Sequence, residues 1–354
     1  MIFVTPSAIP LPLAPEQITA DWLDAALDRS GGRPAVVGAE LDHVVAGTTT
    51  KVFVRAELED GDELALCIKS VFDEPRDTVR TYAARLEANF FRDLAPTLDI
   101  PLFRTWFAGT DADQGIVVFD DLRETGTRFT EVAETWTADR VAAALESQAA
   151  WHAATWDLPQ GRFDWLAHGN QILGMAAEQL FSAPHWDAHV PSPDTVEVPD
   201  SLADRELMLT TMHRLFALHD TQVHVLSHGD AHVGNTYTDP SGRIGFYDWQ
   251  SVCTAPALDD VAYFIVGALD VEDRRRHERE LLNHYLDALR GAGGPELDRE
   301  TAWLDHRRQH AHGFFWAVIP TTWQPPSASI PMAERYIAAI ADHDTVGLLE
   351  DAVR

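Results

Sequence analysis

The stretch His228-Gly229-Asp230-Ala231-His232-Val233-Gly234-Asn235, with Asp248 thirteen residues further on, constrains this chain more than any other part of it. Val223, Val225 and Ser227 alternate into Asp230 and predict a strand that ends at the loop. Ile244-Gly245-Phe246-Tyr247-Asp248 predicts a second short strand with a carboxylate at its exit. Two strand ends that each deliver an oxygen ligand suit a hard cation, which takes Asp and Asn oxygens. Asn235 and Asp248 are the candidate ligands. Asp230 is then left to face a hydroxyl.

One loop Asp for the substrate hydroxyl, with a loop Asn and a later Asp for magnesium, is the protein-kinase division of labour. The stretch resembles the His-Gly-Asp-x-x-x-x-Asn motif of the aminoglycoside phosphotransferase and choline kinase superfamily, including its ecdysteroid kinase-like branch. These are small-molecule kinases with a protein-kinase-like fold. Gly229 stands where protein kinases carry Arg, so the match is to the small-molecule branch. The plainer reading, a turn tripeptide with an Asp and an Asn capping a loop, is outweighed by the spacing, the following strand and the upstream elements.

The resemblance implies an α+β fold of two lobes. Residues 1–119 would form a small, mainly antiparallel nucleotide-binding lobe with a helix, and residues 120–354 a larger, mostly helical catalytic and acceptor-binding lobe. It also implies ATP-dependent phosphorylation of a hydroxyl on an aminoglycoside-, amino-sugar-, choline- or steroid-like acceptor. Asp230 would orient that hydroxyl and accept its proton, and Asn235 and Asp248 would hold Mg2+. His228 is expected to fix the loop, and His152, on an alanine-rich helix, to pack behind it. The alternative is a nucleotide-binding sensor or scaffold without turnover, which is disfavoured because every ionic position is filled.

Of 27 basic residues only two are lysines, Lys51 and Lys69. Lys69 ends the apolar run from Leu64, where kinases keep the lysine that reaches ATP phosphates; Arg's planar fork does not replace it. Glu87, eighteen residues on, lies in a predicted helix from Arg80 to Leu94 and resembles the glutamate that pairs with that lysine. The alternative for Glu87 is a solvated helix carboxylate. Upstream, Val44 to Val54 reads as strand, turn, strand, with Gly47, Thr48 and Thr49 in the turn. Their backbone N–H groups can cradle phosphate, or the threonines serve simply as β-branched strand formers; the two readings stand level. Lys51 is expected to be a solvated hairpin lysine. Asp120-Asp121-Leu122 resembles the superfamily's interlobe linker, whose backbone meets the adenine edge. Asp260 resembles an Asp that begins a helix and is expected to satisfy free N–H groups there.

A chain of 354 residues with 45% hydrophobic content can bury two lobes. Cys67 and Cys253 suggest no disulfide framework and suit a reducing cytoplasm. The run Met1 to Pro15 lacks a basic start and is broken by prolines, so it does not read as a signal peptide. No apolar stretch is long enough to span a bilayer. The net charge of −29 excludes nucleic acid and anionic membrane as partners. It keeps the protein soluble, and it could also steer a cationic acceptor. Helices are expected around Thr19 to Arg29 and at 273–290, 298–318 and 333–348. His306 and His310 stand at i, i+4, a spacing that can bind metal. Without an accompanying carboxylate motif, in a chain with 16 histidines, a packed helical face is the expectation. Trp303, Phe314, Phe315, Trp316 and Trp323 are read as core aromatics before acceptor-pocket walls.

Overall fold

The computed structural model describes residues 9–27, 32–72 and 77–352. The first eight residues of the N-terminal apolar run, and the Asp28–Arg29 end of the first predicted helix, lie outside them. The described part of that helix is α1 (Ala20–Ala26), whose N-cap Thr19 accepts from the Trp22 N–H.

Five antiparallel strands follow: β1 (Val36–Val45), β2 (Thr50–Leu58), β3 (Glu63–Ser70), β4 (Thr105–Thr110) and β5 (Gly115–Asp120), in the order β1-β2-β3-β5-β4. Val52, Val54 and Ala56 of β2, with Leu66 and Ile68 of β3, point to one face, as period-two alternation requires. There they pack on Leu23 and Leu27. The other face receives α2 (Thr78–Asn89), started by Asp77 accepting from the Arg80 N–H at 2.8 Å. The helix runs into a π-helical turn, Phe90–Leu94.

Beyond β5 the chain is mainly helical: α3 (Ala138–Ala154), α4 (Gln171–Leu180), α5 (Ala183–His189), α6 (Arg205–His219), α7 (Ala257–Ala268), α8 (Val271–Gly291), α9 (Arg299–Gln309), α10 (Phe315–Val318), α11 (Pro326–His343) and α12 (Thr345–Ala352). The helix expected over 298–318 is interrupted by a 3₁₀ turn at His310–Phe314. Within that turn Gly313 lies against the Tyr336 ring, where a Cβ has no room. The helix expected from 333 begins earlier, at Pro326, and ends where Asp344 turns left-handed at φ 49°.

Five short strands carry the central loops: β6 (Arg128–Phe129), β7 (Val225–Ser227), β8 (Thr236–Thr238), β9 (Ile244–Phe246) and β10 (Cys253–Ala255). β7 pairs with β10, and β8 lies between β6 and β9. The Asp230 loop joins β7 to β8, and Asp248 follows β9. A continuous core crosses from α2 into the helical part, with Phe90 stacked on Trp249 at 4.2 Å and Trp249 edge-on to Trp151. The two ionic regions are therefore held by one packed unit.

Candidate active site

The Asp230 loop is anchored from behind. Gly229 has φ +76°, and a Cβ there would stand 2.3 Å from the Ser251 carbonyl oxygen. Only glycine fits this left-handed, crowded position. Asp260 does not serve the start of its own helix, as expected from sequence. It accepts from the His228 N–H at 2.7 Å, the Gly229 N–H at 3.1 Å and the Ser227 hydroxyl at 3.0 Å. The reason is position: α7 starts at Ala257, so Asp260 already faces the loop, and a buried carboxylate seeks several donors. His152 packs 3.5 Å from Asp260 and bonds the Tyr285 hydroxyl at 2.8 Å. His228 Nε2 lies 3.0 Å from the Tyr247 carbonyl oxygen, so this ring ties the loop to the strand exit before Asp248.

Around Asp230, the Asn235 amide donates to its carbonyl oxygen at 2.9 Å and its Oδ2 at 3.3 Å. The Tyr263 hydroxyl donates to Asp230 Oδ1 at 3.3 Å, and Trp316 Nε1 donates to that hydroxyl at 2.8 Å. Sequence reading gave Tyr263 no role. Its only signal is a position three residues after Asp260, one helical turn along the buried face of α7. His232 Nε2 stands 3.6 Å from Asp230 Oδ2. Burial lowers its pKa against the pull of the Asp230 charge, so the ring is neutral near pH 7. Trp316, Phe314 and Phe315 are buried, Trp303 is half-buried, and Trp323 is exposed.

The second group is an ionic triad. Lys69 Nζ lies 2.8 Å from Glu87 and 2.8 Å from Asp248 Oδ1, with Lys69 and Glu87 both buried. Burial works against the ammonium, but the charges of Asp248 and Glu87 outweigh it and raise the Lys69 pKa. Burial raises the Glu87 pKa, while for Asp248 the charges of Lys69 and Lys51 overcome burial and lower it. Asp248 has φ 68°, a left-handed conformation rare for a residue with a Cβ. The triad and the Asp230 loop are joined directly, because the Tyr247 N–H donates to the Asn235 carbonyl oxygen at 2.9 Å.

Lys69, Glu87 and Asp248 stand in the wall of a cleft enclosing about 910 Å³, open mouth included. Apolar side chains such as Phe53, Phe91 and Phe119 line it, together with Asp120, Asp121 and Leu122. That mixture is typical of small-molecule and cofactor sites. The Asp121 N–H is committed to the Ala65 carbonyl oxygen at 2.8 Å, and its carboxylate pairs with Arg123. Arg123 in turn lies 3.7 Å over the Phe53 ring and pairs with Asp42. Lys51 is not a solvated hairpin lysine: it is half-buried in the cleft wall, because β2 points it inward beside Tyr247. Gly47, Thr48 and Thr49 lie at the hairpin turn outside that wall. The Thr49 hydroxyl is buried and accepts from Gln250 Nε2 at 2.8 Å, which ties the turn to the segment after Asp248.

A model of the ecdysteroid kinase-like family matches residues 196–292, a stretch that holds both the Asp230 loop and Asp248. Among solved structures, LicA in complex with AMP aligns at a TM-score of 0.51 and 14% identity, covering 92% of this chain and 97% of that one. Amicoumacin kinase hAmiN, in complex with AMP-PNP, Ca2+ and Ami, aligns at 0.52 and 17% identity, covering 86% and 89%. The chain is thus similar to ecdysteroid kinase-like proteins over residues 196–292, and it shares its fold with solved kinases. The microcompartment-associated aminopropanol kinase shares the same fold at a TM-score of 0.50 and 14% identity, covering 90% and 98%. No curated protein matches the chain by sequence. At these identities the structural likeness speaks for the fold alone, a two-lobed, kinase-like one.

Proposed function

We propose that this protein transfers the terminal phosphoryl group of ATP to a hydroxyl of a small molecule. The observation that carries the reading is the single connected constellation of Asp230, Asn235, Asp248, Lys69 and Glu87 beside a partly apolar cleft. Residues 1–119 serve as the nucleotide lobe, and residues 120–354 supply the catalytic groups and the acceptor site.

Asp230 accepts the acceptor's proton as the hydroxyl oxygen bonds to phosphorus and the bond to the ADP oxygen breaks. Tyr263 and Asn235 hold its carboxylate in place for this. Lys69 binds the phosphates, oriented by Glu87. Asn235 and Asp248 hold Mg2+, which when bound neutralises charge on the phosphates. The donor set fits: Asn235 and Asp248 offer an amide and a carboxylate oxygen, the ligands that a hard divalent ion takes. Backbone groups of Asp120, Asp121 and Leu122 border the adenine; the Leu122 N–H has no partner among the described residues. Gly47, Thr48 and Thr49 cover the phosphates from the hairpin. Neighbours crystallised with AMP, or with AMP-PNP and Ca2+, support use of a nucleotide and a divalent ion.

The acceptor class is aminoglycoside-, amino-sugar-, choline- or steroid-like, with the net charge of −29 favouring a cationic molecule. Two free cysteines support a reducing cytoplasm, and no described helix is long and apolar enough to cross a membrane. Incubation with γ-labelled magnesium-ATP and a panel of amino alcohols, aminoglycosides and sterols tests the reading. Label is expected in an acceptor phosphoester and to form roughly 10²-fold more slowly, or slower still, with Asp230→Asn. Nucleotide binding without transfer to water or to any acceptor would favour the sensor reading.

A further inference from the structure

His306 and His310 lack a carboxylate motif in their own stretch of sequence, but the fold brings one from another helix. Glu278 on α8 lies with Oε1 3.1 Å from His306 Nε2 and 3.1 Å from His310 Nε2. Its Oε2 is 2.8 Å from Nε2 of His343, which ends α11. Three imidazoles from two separate segments thus converge by the same nitrogen on one carboxylate. One ligand atom each from Glu278, His310 and His343 falls within 4.8 Å of the others.

Hydrogen bonds to Glu278 account for His306 and His343, but not for His310. His310 is 1% exposed, yet neither ring nitrogen has a hydrogen-bond partner among the described residues. Its Nε2 approaches Glu278 without lining up to donate. A buried polar group left in that state is unfavourable unless something else meets it. Nitrogen and oxygen ligands at zinc distances, set tetrahedrally, lie about 3.3–3.5 Å apart. The observed separations of 2.8–3.1 Å need roughly half an ångström of opening.

Arg274 is the competing cation. Its Nη1 donates to Glu278 Oε2 at 2.7 Å and lies 3.1 Å from His343 Nε2, while its Nη2 pairs with Asp342. It claims Oε2 and leaves Oε1, the oxygen between His306 and His310. Arg275 pairs with Asp342 as well, so the two arginines and the two carboxylates balance, and a bound ion has to compete with Arg274 for Glu278.

We propose that Glu278, His310 and His343 form a structural site for a zinc-type divalent ion, with His306 bonded to Glu278 as its orienting neighbour. Carboxylate ligands are commonly held by such outer partners. None of these residues lines the nucleotide cleft, so the ion pins α8, α9 and α11 together and has no part in phosphoryl transfer. It fixes the 3₁₀ turn from His310, which leads into Trp316 and hence toward Tyr263.

Metal-stripped full-length protein titrated with zinc in a calorimeter should bind about one ion per chain more tightly than about 1 μM. Asp248→Ala should keep this binding, which separates it from any cation site in the cleft, and His310→Ala should weaken it at least tenfold. Cobalt(II) added to the wild-type protein should give the visible absorption of a four-coordinate nitrogen–oxygen site, a readout that needs no variant to fold. Zinc binding that survives His310→Ala but not Asp248→Ala would overturn the site. So would wild-type protein that gives neither zinc heat nor cobalt bands; the cluster would then be a hydrogen-bond network closed by Arg274.

Discussion

Asp230 and Lys69 do opposite things with their neighbours. Asp230 is held by neutral donors, the Asn235 amide and the Tyr263 hydroxyl, which leave its charge available to a proton. Asp230→Asn should therefore cut turnover by roughly 10²-fold or more while magnesium-ATP affinity stays within a few-fold, measured by steady-state kinetics and calorimetry. Lys69 is enclosed by two carboxylates at 2.8 Å, a geometry for a compact ammonium. Lys69→Arg keeps the charge, but its fork cannot meet both without displacing one, so nucleotide affinity should fall at least tenfold. Retained affinity in that variant would remove Lys69 from the phosphate site. At this scale the sequence was informative where chemistry needs a fixed residue type at a fixed spacing: Lys69, Glu87, Asp230, Asn235 and Asp248 all stood out. Tyr263 and Trp316 did not, because a Tyr on an apolar helix reads as core until the fold shows what its hydroxyl meets.

At the scale of elements, α7 organises the loop above it. Asp260 uses both oxygens, so Asp260→Asn turns one acceptor into a donor facing a buried N–H. The expected loss is about 1–3 kcal/mol, read from urea unfolding. Asp259, its neighbour, pairs with His312 at 2.8 Å across to the 3₁₀ turn. Burial opposes both charges, but each partner's charge prevails: the His312 pKa is raised and the Asp259 pKa lowered. The stabilisation from His312 is then full below its unfolded pKa of about 6.5 and fades as pH rises through the higher folded value. From Asp259 it is full above about 3.9 and fades in acid. Unfolding midpoints should fall from pH 6.5 upward in the wild-type protein, and His312→Gln should flatten that fall. An unchanged slope would show that the pair does not titrate as described. Sequence reading located α1, α2, α3, α8, α9 and α11, but gave no helix at α4, α5 or α6 and missed the break at His310–Phe314. Gly313 is forced there by Tyr336, a contact between distant segments that no local pattern encodes. The same distance hid Glu278 from His306 and Asp260 from the loop it holds.

For the whole molecule, the lobes meet through groups of opposite sign as well as through the core. Asp248 belongs to the helical part and Lys69 to the sheet, so a ligand that engages both binds only the folded, closed pair. Magnesium-ATP at about 100 times its Kd should add about 2.7 kcal/mol of stability, visible as a raised melting temperature. Asp248→Ala should abolish that gain and Asn235→Ala should reduce it less. Equal gains in both variants and in the wild type would place the cation elsewhere.

The stacked Phe90 and Trp249 also decide how such a molecule can breathe. Because α2 packs on the sheet and, through Phe90 just beyond its end, on Trp249, the helix and its Glu87 are seated against both parts of the molecule. The body of the β1–β2 hairpin is fixed by the pairing of β2 with β3, and only its turn rests on side chains, through Thr49 with Gln250 and the Arg80 contacts to the Gly47 and Thr48 carbonyl oxygens. Any molecule entering the cleft would then meet a rigid floor with a single adjustable tip above it.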